Sequence, residues 1–454
     1  MRANIILPKF ADHKIREYAV KCLEQFTDTD IMLYMLQLVQ ALKYELYDDS
    51  PLAQFLVRRG LQEPKILGHQ FFWQLISEAH VSYIRQRFSS ILVNFVYGMS
   101  SYRDELFTGY EFTQKLVKLN QKMCNLKYNE ATIQFREELK NFEVPKEFHL
   151  PIDPRLIVDA FIIDKCKVMN SKKKPFFLTF HNAAPFTDAP VQMMFKVGDD
   201  LRQDQLTLQI MKVMEHLWIK QGFDYRMRCY GVLPTGLNQG FIEVVQNSIT
   251  EAALQVQAGT LKGVFDKSVF TKFLVSKNGN NQAYQEAVEN FRLSSAGYAV
   301  STCVLGIADR HPGNIMVQDD GHFFHIDFGH FLGNFKTKLG YQREKAPFHF
   351  SPAAAYVFGD YGSKEFKLFE EEASIAYNIL RHRSSLLITL LILMIGTGIP
   401  ELQKPEDIYY MKKMLNLHLI DDSSAGEEFK KMIKESLEST RTLLNNLFHN
   451  IKTG

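Results

Sequence analysis

Hydrophobic residues recur every three or four positions through the first part of the chain, most clearly at residues 31–42 and 88–99. This is the spacing of one helix face. Polar residues at 28–30 and the prolines Pro51 and Pro64 mark points where helices begin or break. Residues 1–143 are therefore predicted to form a helical, solenoid-like region, although no strict internal repeat is present.

The pattern changes after three closely spaced prolines, Pro145, Pro151 and Pro154. Short apolar runs separated by polar turns follow, which is typical of strands. These runs are residues 161–163, 176–180, 193–197 and 241–245. Helical spacing returns from about residue 248, at residues 283–305, 363–395, 405–415 and 427–451. The predicted fold class is α+β, with a small β-rich lobe at 144–247 and a larger helical lobe at 248–454.

Composition limits the classes of function. The chain has 454 residues and a net charge of only +2, so no global field would draw it to nucleic acid. The five cysteines are widely spaced, as in reduced cytosolic proteins. Its first residues have too short an apolar core for a secretory signal. The apolar run at residues 386–395 is far shorter than the roughly 20 residues that span a bilayer, so a buried helix is expected.

Residues 309–329 contain the candidate chemistry. Asp309, Arg310 and His311 precede Asn314, and the triplet Asp-Phe-Gly at 327–329 follows a predicted hairpin. Kinase-type phosphoryl transfer requires a residue that orients the attacking hydroxyl, plus an amide and a carboxylate that hold Mg²⁺ against phosphates. A lone Asp-Phe-Gly is more often a turn, but the two motifs together at this spacing favour catalysis.

The order Asp-Arg-His reverses the His-Arg-Asp of protein kinases and resembles the catalytic loop of the phosphoinositide 3-kinase family. The resemblance extends upstream through residues 195–204 and downstream to Phe348, and residues 19–24, 38–45 and 68–73 resemble the latter part of that family's helical domain. It implies an ATP-dependent lipid kinase. The kinase N-lobe would be 144–247 and the C-lobe 248–454, with a catalytic loop at 309–314, an activation loop at 327–348 and a C-terminal regulatory helix.

The resemblance also implies roles in the C-lobe. Asn314 and Asp327 would hold Mg²⁺, and Mn²⁺ would suit the same ligands. Asp309 would position the phosphate and the substrate hydroxyl, and His311 would stabilise charge on the transferring group. His330 is the family-based candidate for accepting the hydroxyl proton, and the alternative is that it only packs against the loop or forms a hydrogen bond with it.

In the N-lobe, Lys196 ends an apolar strand. An isolated lysine at such a position usually extends along the surface to water, but the resemblance makes it the phosphate-contacting lysine. Asp204 would bond Tyr230 and help to order Lys196, although it could equally cap its own helix.

The remaining nucleotide contacts rest on the resemblance alone. Ser171 and Lys173, in a loop that lacks the glycine-rich pattern of protein kinases, would contact phosphates. Glu243 and Val245 would form the hinge that bonds adenine. The adenine slot would be lined by Phe177, Met194, Met316 and Ile326.

A basic loop follows Gly329, and it contains Lys336, Lys338, Arg343 and Lys345. Such a loop suits a headgroup that carries extra phosphates. It resembles the activation loop of class I enzymes, which accept phosphatidylinositol 4,5-bisphosphate, whereas class III enzymes lack the double basic box. Thr337 and Gln342 depart from the class I pattern, and a solvated charged loop is the alternative.

The C-terminal helix is amphipathic and resembles the membrane-contacting helix that closes the family's kinase domain. Asn446 replaces the usual tryptophan, so simple packing on the C-lobe is an equal alternative. The expected partners are phosphoinositide lipids at a membrane surface. The protein itself is expected to be cytoplasmic and to be recruited to the plasma membrane. A regulatory adaptor or small GTPase stays open as a partner, although the usual binding modules are absent.

Three alternatives to a class I-like 3-kinase remain at this point. One is a class III-like enzyme that uses only phosphatidylinositol, and another is a 4-kinase or a related protein kinase. The third is a truncated, catalytically weak scaffold. The chain is expected to be a fragment, an incomplete gene product or a reduced enzyme.

Overall fold

The structure is a computed structural model that describes residues 12–184, 187, 189–334, 337–338, 341–342 and 346–453. Contacts within the chain divide it into two units. The first unit comprises the described residues up to Leu208 together with Tyr230–Val245. The second unit comprises Gln209–Cys229 together with the described residues from Gln246 onward.

The first unit begins with helices α1 (His13–Leu23), α2 (Asp28–Ala41), α3 (Pro51–Gln62), α4 (His69–Glu78), α5 (Arg85–Gly98), α6 (Tyr102–Cys124) and α7 (Tyr128–Lys140). The side chains of Asp12, Thr27 and Ser50 accept first-turn N–H groups of α1, α2 and α3, which fixes where these helices begin. Aromatic residues fill the space between the helices, as where Phe71 meets Phe95 edge to face. The helical region predicted from the sequence is confirmed over the described residues.

An antiparallel sheet follows in the same unit. Its strands are β1 (Phe148–Leu150), β2 (Asp153–Phe161), β3 (Lys167–Val168), β4 (Phe176–Asn182), β5 (Val191–Val197), β6 (Val232–Gly236) and β7 (Gln239–Glu243). The strand order is β1-β2-β4-β5-β7-β6, and β3 pairs with β4. One face packs on α6 and α7, where Phe135 stacks on Phe176 with ring centroids 4.2 Å apart.

Helix α8 (Arg202–Ile219) begins in the first unit and ends in the second. The second unit's further elements are β8 (Ser248–Thr250), α9 (Glu251–Gln257), α10 (Thr260–Phe265), α11 (Val269–Lys277), α12 (Asn281–Leu305), β9 (Ile315–Gln318), β10 (Phe323–His325), β11 (Thr337–Lys338), β12 (Tyr341–Gln342), α13 (Pro352–Val357), α14 (Lys364–His382), α15 (Ser384–Met394), α16 (Tyr409–Met414) and α17 (Asp422–Thr453). Helix α12 is buried on all sides from Ser294 to Leu305, as expected of a central helix. It packs against α14, which packs against α17. The predicted α+β class is confirmed.

The helix predicted at residues 363–395 is two helices in the structure. The backbone leaves helical geometry at Arg383, with φ −110° and ψ 13°, and α15 begins at Ser384. Serine hydroxyls compete for backbone hydrogen bonds, so a break before two serines costs little. Within the described ranges, no helix is both long and apolar enough to cross a bilayer.

Candidate active site

Helix α12 leads directly into the loop that contains Asp309. The helix ends at Gly306, which has a left-handed φ of 57°, and the Ile307 N–H then bonds the Thr302 carbonyl at 3.0 Å. Asp309 also has a left-handed φ, of 58°. That conformation is uncommon outside glycine, and here it starts the loop with a sharp change of direction.

Arg310 ties this loop to the backbone before Gly329. Its guanidinium donates to the carbonyls of Ala308 (3.0 Å), Ile326 (2.7 Å) and Asp327. It also lies over the Phe328 ring, 5.6 Å from the centroid. One planar side chain therefore holds the Asp309 loop and the Asp327 segment at a fixed separation.

Hydrogen bonds orient the two polar side chains that follow. Asn314 is buried, and its amide nitrogen donates to the Asp309 carbonyl at 3.2 Å, which leaves its side-chain oxygen as a free acceptor. His311 accepts the Gly313 N–H at Nδ1 over 3.1 Å. A neutral ring then carries its proton on Nε2, where it is a donor.

The hairpin of β9 and β10 positions Asp327. The Ile326 N–H bonds the Asn314 carbonyl at 3.0 Å, and Asp327 then adopts a left-handed φ of 61°. The Asp327 side chain is exposed, whereas the Phe328 side chain is fully buried. Asp309, His311, Asn314 and Asp327 thus belong to one hydrogen-bonded cluster in the second unit.

Three further predicted residues lie beside this cluster. Met316 is half-buried in β9, between the buried Ile315 and Val317, and Ile326 is also half-buried. The ring of His330 is 34% exposed, and its Nδ1 bonds a carboxylate oxygen of Glu401 at 2.7 Å.

Lys196 lies on the second face of the sheet in the first unit. Strands β4 and β5 alternate, so Phe176 and Phe195 face the core while Phe177, Met194 and Lys196 lie on the opposite, half-buried face. The Lys196 ammonium has no hydrogen bond or ion pair with any residue that the structure describes. A cation on an apolar face is suited to meet an anion there.

The loop between β3 and β4 is folded by its own backbone. Ser171 bonds the Met169 carbonyl through its N–H (2.8 Å), and its side chain is exposed. Lys173 bonds the Gly198 carbonyl and pairs with Asp199 instead of extending into solvent. A phosphate contact by Lys173 would therefore have to compete with Asp199.

Helix α6 supports this loop from behind. Asn120 donates to the Lys174 carbonyl at 2.9 Å, and Lys174 Nζ donates to the Cys124 carbonyl at 2.9 Å. The loop is therefore attached to the helical region as well as to the sheet.

The expected hinge lies at the end of β7. The Glu243 N–H donates to the Gly231 carbonyl (2.9 Å), and the Glu243 carboxylate accepts the Gly231 N–H (2.6 Å). Val245 follows and is half-buried. Tyr230 is 6% exposed, and Asp204 lies in the first turn of α8. The predicted bond between Tyr230 and Asp204 stays a prediction.

Helix α8 is anchored by an ion pair network that the sequence did not reveal. Arg202, at its start, bonds Asp200 at 2.7 Å and the buried Glu78 of α4 at 3.3 Å. Burial would raise the pKa of Asp200, but the Arg202 guanidinium outweighs it and holds that pKa below its usual value. The network fixes the helix start that contains Asp204.

The structure describes one of the four predicted headgroup residues. Lys336, Arg343 and Lys345 lie outside the described residues. Lys338 lies in β11, whose backbone pairs with β12 through Lys338 and Tyr341. The basic-loop interpretation therefore stays a prediction.

Two domains of the chain match known families. Residues 190–404 match the family model for phosphatidylinositol 3- and 4-kinases, and residues 3–108 match the accessory (PIK) domain of the phosphoinositide 3-kinase family. The chain is 43% identical over 98% of its length to phosphatidylinositol 3-kinase 1 of Dictyostelium discoideum. The chain contains the accessory domain of the phosphoinositide 3-kinase family and a phosphatidylinositol 3- and 4-kinase domain. Phosphatidylinositol 3-kinases 3 and 2 of the same organism are 43% and 42% identical, again over 98% of the chain.

These relatives are much longer than the chain described here. The chain spans 28%, 26% and 24% of the lengths of phosphatidylinositol 3-kinases 1, 3 and 2. The region that it shares with them includes an accessory domain and a kinase domain.

Sequence reasoning assigned no role to two residues of this kinase domain, Arg310 and Glu401. Arg310 belongs to the Asp-Arg-His triplet, and its position between two candidate catalytic residues was the available signal. Glu401 lies 71 positions beyond His330, so no local spacing connects the two.

Replacing Arg310 with lysine is expected to lower kcat on the order of 10²-fold, because small displacements of reacting groups have effects of that size. A lysine cannot span the three carbonyls of Ala308, Ile326 and Asp327 that the guanidinium bonds. Steady-state phosphotransfer assays on both proteins measure the change. The control is Arg383→Lys, at an exposed arginine of the same unit. Equal kcat values for Arg310→Lys and wild type would show that the guanidinium does not hold the site.

Proposed function

We propose that the chain is the catalytic part of a phosphatidylinositol 3-kinase, which transfers the γ-phosphate of ATP to the 3-hydroxyl of an inositol phospholipid at a membrane surface. The names of the Dictyostelium relatives support the reaction. The observation that carries the proposal is the bonded cluster of Asp309, Asn314 and Asp327 around Arg310. It presents a carboxylate, an amide oxygen and a second carboxylate, as phosphoryl transfer requires.

In the proposed reaction, each residue near Asp309 has one task. Asp309 positions the phosphate and the substrate hydroxyl. His311 presents Nε2–H, because its Nδ1 is already occupied by the Gly313 N–H. A donor of this kind stabilises the negative charge that builds on the transferring phosphoryl oxygens.

A divalent cation fits the residues present. The free side-chain oxygen of Asn314 and the exposed carboxylate of Asp327 are hard oxygen donors of the kind that Mg²⁺ prefers, and Mn²⁺ accepts them too. Among the described residues, no group of three or more acidic, histidine or cysteine side chains could hold a metal by itself. A site completed by nucleotide phosphates agrees with that finding. When bound, the cation would neutralise negative charge on the nucleotide phosphates.

We propose that the second face of the sheet binds the nucleotide. Lys196 lies on this face beside the apolar side chains of Phe177 and Met194. A cation at the end of an apolar surface suits a ligand with a flat base and a charged tail. Met316 and Ile326 keep the adenine-lining role predicted from the sequence, and Glu243 and Val245 keep the role of the hinge. The roles predicted from the sequence are kept for the other residues. Phosphates would be contacted by Ser171 and Lys173, and Lys196 would be ordered by Asp204 bonded to Tyr230.

We further propose phosphatidylinositol 4,5-bisphosphate as the preferred lipid, because of the basic residues after Gly329. The headgroup carries two extra phosphates, and each adds attraction for lysine or arginine. Lys336, Lys338, Arg343 and Lys345 are the residues proposed to meet them.

The proposed reaction is tested with radiolabelled ATP and two sets of vesicles, one holding phosphatidylinositol and the other its 4,5-bisphosphate. Chromatography of the deacylated products identifies the hydroxyl that was modified. We expect 3-phosphorylated product from both lipids, more of it from the bisphosphate, and none with Asp309→Asn. Product from phosphatidylinositol alone would reject the bisphosphate proposal. No product from either lipid would reject the proposed reaction.

The basic loop is tested with the double variant Lys336→Ala/Lys338→Ala. Activity on the bisphosphate should fall by on the order of tenfold, since a charge-assisted contact contributes about 1.5–3 kcal/mol. Activity on phosphatidylinositol should be retained. The matched control, Lys430→Ala/Lys431→Ala, removes two lysines that pair with glutamates on α17. An equal effect of both variants would indicate general attraction to the membrane.

A further inference from the structure

One carboxylate receives two hydrogen bonds from the segment after Gly329. Glu401, in the turn that follows α15, bonds His330 Nδ1 through Oε1 at 2.7 Å. Its Oε2 accepts the Phe331 N–H at 2.6 Å. The Glu401 side chain is only 15% exposed, so both bonds are largely shielded from water.

These bonds determine which nitrogen of His330 carries the proton. A carboxylate only accepts hydrogen bonds, so Nδ1 must donate. The neutral ring then has its lone pair on Nε2. Nε2 makes no hydrogen bond to any residue in the described part of the chain. The ring is therefore held with an open acceptor.

The backbone of this segment is held independently of Glu401. The Ala308 N–H donates to the His330 carbonyl at 3.1 Å. The Leu332 and Gly333 N–H groups donate to the carbonyls of Leu305 and Gly306, at 2.7 and 3.1 Å. Because these main-chain bonds already fix the path of the segment, the bond from Glu401 to the ring is not needed to place it.

We propose that Glu401 is a positioning residue that holds His330 as a proton acceptor, an inference that rests on the proposed lipid kinase function. In the step concerned, an oxygen lone pair of the inositol 3-hydroxyl forms a bond to the γ-phosphorus. The bond from that phosphorus to the bridging oxygen breaks, and its electron pair leaves with ADP. The hydroxyl proton moves to Nε2 of His330, and Glu401 stabilises the resulting imidazolium through Nδ1–H.

Glu401→Gln provides a sharp test, because glutamine offers one acceptor and one donor where glutamate offers two acceptors. The Phe331 N–H can only donate, so it takes the glutamine oxygen. The glutamine NH₂ then faces His330 Nδ1, which must become the acceptor. The proton moves to Nε2, and the ring can no longer accept a proton there.

The experiment combines kinetics with ¹⁵N NMR of the histidine rings in the whole chain, and His330→Ala identifies the His330 signal. In the wild type we expect the proton on Nδ1, and in Glu401→Gln on Nε2. We expect kcat for lipid phosphorylation to fall by roughly 10²-fold in Glu401→Gln, the scale of general-base catalysis, while KM for ATP stays within about twofold. Glu401→Asp retains two acceptor oxygens and should restore part of kcat. The matched control is Asp320→Asn, which alters another carboxylate that bonds a histidine Nδ1, that of His322, at 2.8 Å. It should leave kcat unchanged.

Each outcome decides the proposal. A wild-type His330 protonated on Nε2, or a Glu401→Gln kcat within about twofold of wild type, would overturn it. If Glu401→Gln does not fold, the wild-type spectrum and Glu401→Asp still decide. If the wild type makes no lipid product, the proposed function and the catalytic part of this inference both fail. The NMR result then still shows whether Glu401 sets the tautomer.

Discussion

Replacing Asp327 with asparagine is expected to lower phosphotransfer roughly 10³-fold or more while leaving the fold intact. The variant loses the charge that we propose Asp327 offers a metal–nucleotide complex, and metal coordination contributes several kcal/mol to such reactions. The side chain is exposed, and Arg310 bonds the Asp327 backbone carbonyl, so asparagine keeps the local structure. Activity with ATP and lipid vesicles, together with the thermal unfolding midpoint, measures both effects.

The matched control for this variant is Asp319→Asn. Asp319 lies in the turn between β9 and β10, where it pairs with Lys277 at 3.2 Å. The variant removes this ion pair and should leave kcat unchanged, because an exposed ion pair contributes at most about 1 kcal/mol to stability. Comparable losses of activity in both variants would mean that the hairpin, and not the Asp327 carboxylate, is what catalysis requires.

The second large effect is a loss of stability in acid caused by His69. This ring is 7% exposed; its Nε2 donates to the Pro151 carbonyl (2.7 Å), and its Nδ1 accepts the Tyr102 hydroxyl (2.9 Å). Burial lowers the pKa of His69 from 6.5 to about 4. Between these values the unfolded chain takes up a proton that the folded chain excludes. The free energy of unfolding therefore decreases as the pH is lowered from 6.5 to 4. His69 alone contributes about 3 kcal/mol to this decrease.

Urea unfolding across pH 4 to 7 tests this expectation. His69→Gln keeps an amide donor for Pro151 but has no ring nitrogen that can gain a proton. Unfolding of this variant should therefore take up roughly one proton fewer, and its stability should depend less steeply on pH. Tyr102→Phe is the control. It removes the hydroxyl and keeps the ring buried, so it should retain the wild-type slope. Equal slopes for His69→Gln and wild type would show that this histidine does not titrate on unfolding. Burial also lowers the pKa of His325 in the second unit, and that contribution is common to all three proteins.

Local sequence patterns were sufficient for much of the fold. Helix α12 and the strands β4, β5 and β7 follow from residue type and run length, because each is a long or short apolar run bounded by polar turns. The cluster from Asp309 to Asp327 was also predictable, since one short hairpin connects its members. The break at Arg383 was not, because apolar spacing continues across it.

Contacts between distant parts of the chain could not be predicted. Nothing in the sequence around Lys173 indicates that it pairs with Asp199, or that Arg202 bonds Glu78, 124 positions earlier. Glu401 and His330 are a further example. Such pairs depend on how the elements pack, and a single sequence contains no record of that packing.

The support that α6 gives to the loop between β3 and β4 changes how the chain can be divided. Asn120 and Cys124 belong to the helical region, yet they bond the loop that contains Ser171 and Lys173. The boundary that the prolines mark in the sequence is therefore not a boundary in the structure. An excised kinase domain that starts after α7 would lose the helix that supports this loop. A chimera made by exchanging helical regions between relatives would therefore also change the support of the loop that we propose contacts the nucleotide phosphates.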